Sequence, residues 1–476
     1  MPHDKPFPPS LPHQSEGTAF LRSKERAALF DEQGLGKSKQ LIDAVVAEIG
    51  AGAIKGAVII CPNGLKTNWA EEIERFCELP YAVFGAGRKA RRAAFTSLKA
   101  AFYIINYEAV KAELPSLRAL LRFKEMALVL DESHRIKSPE AGVTEAVLGL
   151  REYAKRRYIL TGTPVANKPE DLWSQFLFLD DGSALGATLA EFRSEYQTGS
   201  EGYKALDQLR ERTSDMSMRR LKTDAVDLPQ KETRRLTVEL EGRQREMYDT
   251  MKNELALWVS SLSGEQVLKQ ADAILARLVR LAQLASNPGL VDPGYDGDPG
   301  KFVALDGLVE NYLVRSADQK LIIWSSFVGN VTALSERYRP FRPVTIHGQM
   351  AGEQRDEAVR LFRGDRDVRI MVANPAAARE GLTLTEANVA IYVDRTFNLV
   401  DYLQSQDRIH RISQNHECEI VLLMARATVD AYIDFTLEQK HGLARYAQDD
   451  SQNIEPADLA LEKPTILKAL MWPDDH

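Results

Sequence analysis

Residues Asp31-Glu32-Gln33-Gly34-Leu35-Gly36-Lys37-Ser38 follow a short apolar run, Ala27-Ala28-Leu29-Phe30. They open a helical pattern in which Leu41, Ile42, Val45, Val46 and Ile49 share one face before Gly50. Strand, glycine-bearing turn and helix in that order describe a phosphate cradle. The backbone N–H groups of the turn can wrap around phosphate oxygens, and the helix N-terminus adds partial positive charge. In such a cradle Gly34, Leu35 and Gly36 form the turn, Lys37 reaches the β- and γ-phosphates, and the Ser38 hydroxyl sits on Mg²⁺. The strict nucleotide-loop pattern has a further glycine where this chain has Asp31. The same turn also serves as a plain strand-to-helix connection, so its assignment depends on the sequence around it.

Composition sets the frame. A chain of 476 residues is too long for one core, and two or three domains are expected. Hydrophobic content of 44% with 27% charged residues reads as a soluble globular protein. No apolar run reaches the length of a membrane span. Met1-Pro2-His3-Asp4-Lys5-Pro6 has no apolar h-region, and Cys61, Cys77 and Cys418 lack metal-ligand spacing, so a reduced, cytoplasmic protein is expected. The net charge of −7 argues against a uniformly basic nucleic-acid binder but leaves room for local basic patches. Arg88, Lys89, Arg91 and Arg92 form one such patch; Arg219, Arg220 and Lys222 belong to another. Each suits a solvated helix face as well as it suits DNA phosphates.

Taken in order, the chain places Gln14 upstream of the cradle, where its amide can offer adenine both a donor and an acceptor. Apolar runs then end in polar clusters. Ala57–Ile60 ends at Cys61-Pro62-Asn63, Phe102–Ile105 at Asn106-Tyr107, and Met126–Leu130 at Asp131-Glu132-Ser133-His134. Tyr158–Leu160 ends at Thr161-Gly162-Thr163-Pro164. Continuous apolar runs alternating with helical patterns mean a parallel sheet covered on both faces, whose ligands bind beyond the carboxyl ends of the strands. There Asp131 can hold Mg²⁺, and Glu132 can orient and deprotonate the attacking water in phosphoryl transfer.

From about Leu172 to Leu228 the pattern is mostly helical and well charged, and a second helical stretch, including Leu275, Leu278, Val279, Leu281 and Leu284, runs from Gln244 to about Leu290. Residues 292–300 are a breaker-rich loop. A second α/β set follows, with strands expected at Leu321–Trp324, Val344–Ile346, Val368–Ala373, Val389–Val393 and Ile420–Leu423. Two parallel-sheet domains of which the first carries the phosphate loop suggest an ATPase with its site between lobes. The second lobe would supply Arg408 and Arg411, three residues apart on one helical face, to stabilise charge on the transferring phosphoryl group.

These clusters, in this order, resemble the Swi/Snf family of superfamily 2 helicase-like ATPases from about Leu11 to about Leu443. Asp31–Ser38 is similar to the family's Asp-Glu-Met-Gly-Leu-Gly-Lys-Thr, with Gln33 for Met and Ser38 for Thr; that family does not require the missing glycine. Pro62-Asn63-Gly64-Leu65 with Asn68, Trp69 and Glu72 matches the next motif, and Asn106-Tyr107-Glu108 the one after. Asp131–Ser138 resembles the family's Asp-Glu-x-His box, and Leu160–Pro164 with Asn167, Asp171, Leu172 and Trp173 its coupling motif. Arg219–Lys222 with Leu228-Pro229-Gln230-Lys231 resembles the connection between lobes, and Arg280–Gln283 with Asn287-Pro288 the second helical protrusion. Glu380-Gly381-Leu382-Thr383-Leu384, Asp394 with Asn398, and Gln406 through Gln414 complete the match; Phe397 and Leu399 depart from the usual Trp and Pro.

The resemblance implies an α/β protein of two RecA-like lobes with ATP and Mg²⁺ in the inter-lobe cleft: residues 1–228 with a helical insertion at about 172–228, residues 229–445 with a protrusion at about 244–290, and an acidic tail, 446–476. It implies nucleotide binding by Gln14, the 34–38 loop and Gly381, and catalysis by Lys37, Asp131, Glu132, Arg408 and Arg411. It implies coupling or DNA contact by Asn106, Tyr107, His134, Thr161, Gly162, Thr163, Thr383 and Gln406. The activity implied is ATP-driven movement along duplex DNA, gripping its backbone with little sequence specificity, by a monomeric, compact bacterial or phage protein. The alternatives are a strand-separating or annealing DEAD/DEAH-type helicase on forked DNA or RNA hybrids, and a non-catalytic DNA-binding scaffold.

Overall fold

The structure, a computed structural model, describes residues 7–447 apart from 86, 88–90, 92–94, 96–98, 199–201, 264–265, 267–268 and 378–381. The chain divides between Asp227 and Leu228 into two compact units, and the described residues from Gly442 to Ala447 group with the first. Among the described residues no helix is long and apolar enough to cross a membrane. Cys61, Cys77 and Cys418 are buried, and none of them forms a disulfide among the described residues.

The first unit is built on β1 (Arg26–Leu29), β2 (Ala57–Cys61), β3 (Tyr81–Val83), β4 (Phe102–Asn106), β5 (Ala127–Asp131) and β6 (Arg156–Leu160). A small antiparallel ribbon, β7 (Gln197–Thr198) and β8 (Gly202–Tyr203), precedes β9 (Ser217–Met218). The main sheet has the order β3-β4-β2-β5-β6-β1-β9, and every pairing in it is parallel. All five residues of β2 and the first four of β5 are buried, as strands covered on both faces must be. β9 lies in the stretch read from sequence as a helical insertion. The helices Trp173–Asp180, Leu189–Tyr196 and Leu206–Ser214 are there, but two residues of the same stretch return to the sheet beside β1. Register fixes the site: Leu160 pairs with Asp131 on one side and with Leu29 on the other, so three strands deliver their polar ends at one edge.

The second unit repeats the logic with β10 (Lys231–Val238), β11 (Leu321–Trp324), β12 (Val344–Ile346), β13 (Ile370–Ala373), β14 (Val389–Tyr392) and β15 (Cys418–Ala425), in the order β10-β15-β14-β11-β13-β12, again all parallel. Separate apolar clusters cover its two faces. β10 is an edge strand rich in charge, largely solvent-facing, and holds β15 by backbone pairing from Lys231–Cys418 to Val238–Ala425. The helices Gly242–Ser260 and Ala271–Ser286 pack on each other, and Leu275 of the second is 48% exposed. Its neighbours Leu278, Leu281 and Leu284 are buried because the covered face is narrower than the apolar pattern.

Candidate active site

The phosphate loop leaves β1 and turns through Gly34 and Gly36, whose φ values of 90° and 77° lie in the left-handed region that favours glycine. Gly36 caps the helix Lys37–Gly50, and a side chain there would run into the Gln14 amide. That amide is engaged with backbone: Gln14 Oε1 accepts from Leu11 N–H at 3.0 Å, and Nε2 donates to the Leu35 carbonyl at 3.4 Å. His13 Nε2, at 3.0 Å, and Gln40 Nε2, at 3.2 Å, meet the same carbonyl. The loop is thereby pinned from the preceding helix and from its own.

Asp31, in the place of the missing glycine, is fully buried and forms a two-point contact with Arg220 (Nε to Oδ1 3.1 Å, Nη2 to Oδ2 2.6 Å). Gln40 Nε2 donates to the same carboxylate at 3.1 Å, and Arg220 also donates to the His13 carbonyl. Arg219 donates to the Phe30 carbonyl at 2.6 Å. The basic cluster at 219–222 is therefore neither a solvated face nor an open DNA patch: Arg219 and Arg220 turn inward and brace the loop. The signal was available in the sequence, since a carboxylate in place of a glycine at a buried turn demands a cation. Nothing in the spacing says which one. Of the other patch, Arg88, Lys89 and Arg92 lie outside the described residues, and Arg91 pairs with Glu113 at 2.7 Å.

Lys37 Nζ donates to the carbonyls of Asp31, at 2.7 Å, and Glu32, at 3.3 Å. Burial lowers its pKa, while the carboxylates of Glu132, Asp31 and Asp131 oppose that shift. Asp131 ends β5. Its Oδ2 accepts from Trp69 Nε1 at 2.8 Å, its Oδ1 from Glu132 N–H at 3.0 Å, and its carbonyl from the Tyr107 hydroxyl at 2.8 Å. Burial and, after it, the adjacent Glu132 charge push the Asp131 carboxyl up to about 7, against the pull of Trp69 and Lys37. A carboxylate so raised is one that a cation would return to its ionised form. The oxygens of Asp131 and of Ser38, in the first turn of the helix Lys37–Gly50, are of the hard type that could hold Mg²⁺.

Glu132 adopts a left-handed backbone, φ 51° and ψ 51°. Two other segments donate to its carboxylate, Gln33 Nε2 at 3.2 Å on Oε1 and Thr161 Oγ1 at 3.4 Å on Oε2, and His134 Nδ1 of its own segment lies 3.3 Å from both Oε2 and Thr161 Oγ1. Thr163 N–H donates to Thr161 Oγ1 at 3.1 Å, which ties the turn 161–163 into the cluster. The structure thus brings Lys37, Asp131, Glu132, His134, Thr161 and Gly162 together at the edge set by β1, β5 and β6.

In the second unit Arg408 and Arg411 both donate to the Leu382 carbonyl, at 3.1 and 3.0 Å, and Arg411 donates to Thr383 Oγ1 at 2.6 Å. They do not share a helical face, as the spacing suggested. The helix Leu399–Gln406 stops before them, and they follow in a turn that buries Ile409 completely. Gln406 accepts from Lys231 Nζ at 3.1 Å and His410 Nε2 lies 2.9 Å from the Pro229 carbonyl, so this turn is tied to the start of the unit. Tyr107, 2% exposed, and Gln406, 5% exposed, are buried. Asn106, at the end of β4, donates to Glu108 at 2.7 Å. Gly381 lies outside the described residues, as does the tail from residue 448.

Comparison with known proteins gives the chain's family. The SNF2-related domain matches residues 13–290, and the helicase conserved C-terminal domain matches residues 301–413. A chromodomain-helicase-DNA-binding protein 1-like protein of Danio rerio is 27% identical over 447 residues, covering 89% of this chain and 42% of that protein. A SWI/SNF-related matrix-associated actin-dependent regulator of chromatin subfamily A-like protein 1 homolog of Caenorhabditis elegans is 24% identical over 462 residues, 94% of this chain and 63% of that one. The solved SWI2/SNF2 ATPase core of Sulfolobus solfataricus in complex with dsDNA is 26% identical, covers 98% of both chains and has a TM-score of 0.44. This chain spans 42% of the zebrafish relative's length. With the SNF2-related domain covering more than half of its length and the helicase C-terminal domain following it, the chain belongs to the SNF2-related family of helicase-like ATPases.

Proposed function

We propose that this chain hydrolyses ATP in response to duplex DNA and converts the cycle into movement along it, remodelling DNA or DNA–protein complexes. The observation that carries the reading is the convergence of Lys37, Asp131 and Glu132, with Thr161 of the neighbouring segment donating to the Glu132 carboxylate and His134 Nδ1 3.3 Å from it. Lys37 binds the β- and γ-phosphates and Gln14 reads adenine. Ser38 and Asp131 would hold Mg²⁺, which would supply positive charge to the phosphates. Glu132 orients the attacking water and takes its proton as the water oxygen bonds to the γ-phosphorus and ADP leaves. Arg408, Arg411 and Gly381 complete the site in the ATP-bound protein. Thr161 and His134 relay the state of the nucleotide, and Asn106 and Thr383 face the DNA backbone. A relative whose name declares it a helicase-DNA-binding protein, aligned over 89% of this chain, supports DNA as the partner.

Steady-state ATPase without nucleic acid, with single-stranded DNA, with blunt duplex and with RNA tests the reading. Strong stimulation by blunt duplex is expected. Stimulation by single strands or RNA alone would assign the chain to strand-separating helicases, and no response to any of them would overturn the proposal.

A further inference from the structure

We infer that Gln33 is a positioning residue that restrains Glu132 and keeps hydrolysis low when no nucleic acid is bound. The inference rests on the role proposed above for Glu132. Gln33 lies in the phosphate loop, its side chain is 8% exposed, and its Nε2 donates to Glu132 Oε1 at 3.2 Å. The other carboxylate oxygen, Oε2, accepts from Thr161 and lies 3.3 Å from His134 Nδ1. Donors on both oxygens make a carboxylate a weaker base and fix its direction. They also hold a non-glycine residue in a left-handed conformation, φ 51°, a kind of strain that persists only where the surroundings enforce it.

Gln33 is also in contact with the coupling segment. A Cβ built on Gly162 would lie 3.0 Å from Gln33 Cγ and 3.1 Å from Gln33 N, so Thr161-Gly162-Thr163 rests directly on this residue. A shift of that turn moves Thr161 and presses on or releases Gln33 together, loosening both holds on Glu132. Gly162 is thus the point at which the coupling turn touches the restraint, and a side chain there would force the two apart.

The test is Gln33→Met, which keeps the length of the side chain and removes the donor, assayed beside Gln33→Asn, whose amide falls short of Glu132. One hydrogen bond to a charged carboxylate corresponds to roughly ten- to a hundredfold in rate. Both variants are expected to raise kcat without nucleic acid by about that factor, to leave KM for ATP within about twofold, and to leave the rate at saturating duplex DNA unchanged. A purely structural role for Gln33 would lower both rates together. An unchanged or reduced rate without nucleic acid in either folded variant overturns the inference. If the unaltered protein hydrolyses ATP and responds to DNA, that result leaves the proposed function standing; if it hydrolyses no ATP under any condition, both fall.

Discussion

Arg220 and Asp31 meet side by side, Nε to Oδ1 at 3.1 Å and Nη2 to Oδ2 at 2.6 Å, with the carboxylate wholly out of solvent. A planar guanidinium fork is required for that geometry, and an ammonium cannot reproduce it. Removing one partner of such a buried pair leaves an uncompensated charge, at about 3–5 kcal/mol. Arg220→Ala is expected to lower the melting temperature of the first unit and to impair ATP binding through the loop that Asp31 anchors. Arg220→Lys should recover only part of the loss. Thermal melting followed by nucleotide titration checks both; a full recovery by lysine would mean that charge alone, not the fork, supports the loop.

Lys37 and Glu132 should separate binding from turnover. Lys37→Ala is expected to abolish detectable hydrolysis and weaken ATP binding, because the phosphates lose their cation. Glu132→Gln should bind ATP with near-normal affinity and reduce kcat by roughly a hundredfold or more, the typical contribution of a general base. Equilibrium binding of a fluorescent ATP analogue alongside kcat distinguishes the two.

The elevated Asp131 carboxyl predicts a pH dependence with a definite sign. Its folded value of about 7 lies above the ordinary 3.8, so between those limits the native state holds a proton that the unfolded chain has released. The group's contribution to stability is therefore full below about pH 4 and declines as pH rises towards 7. Asp131→Asn should raise the melting temperature of the nucleotide-free protein by a few degrees near pH 8, leave it unchanged near pH 4, and end hydrolysis. In the unaltered protein the Mg²⁺ concentration needed for half-maximal rate should climb as pH falls below 7, since the cation must displace that proton.

Arg411 joins two motifs through the Leu382 carbonyl and the Thr383 hydroxyl, at 3.0 and 2.6 Å. Arg411→Ala is expected to lower kcat by about a thousandfold, as loss of a charge-stabilising arginine does, with little change in KM for ATP. Thr383→Val keeps the shape of the side chain and removes the acceptor. It should reduce kcat by about tenfold or less and raise the DNA concentration needed for half-maximal stimulation. A Thr383→Val protein with normal kcat would detach the hydroxyl from the arginine's alignment.

The apolar strands and their polar ends were legible because buried parallel strands are written as continuous hydrophobic runs: β2, β5 and β11 sit where the pattern put them. β10 was not legible. An edge strand of Lys, Glu, Thr and Arg, held by backbone pairing with β15, leaves no apolar signature. The two residues of β9 are too few to carry a period, and the turn after Gln406 was hidden because helical spacing and a tight turn both bring residues three apart together. Within the site the acids and the lysine could be named from the sequence. Their restraints could not, because Gln33, Trp69 and Arg220 each act across a separation that only the sheet order closes.

The Asp31–Arg220 pair also sets a clock on synthesis. Its members are 189 residues apart. At about 5–20 residues per second a ribosome delivers the arginine roughly 10–40 s after the aspartate. Throughout that interval the phosphate loop has its glycines and its lysine but no counter-charge for the carboxylate beneath them. A nascent chain released before Arg220 emerges would contain every residue of the nucleotide loop and lack the guanidinium that pairs with its buried carboxylate.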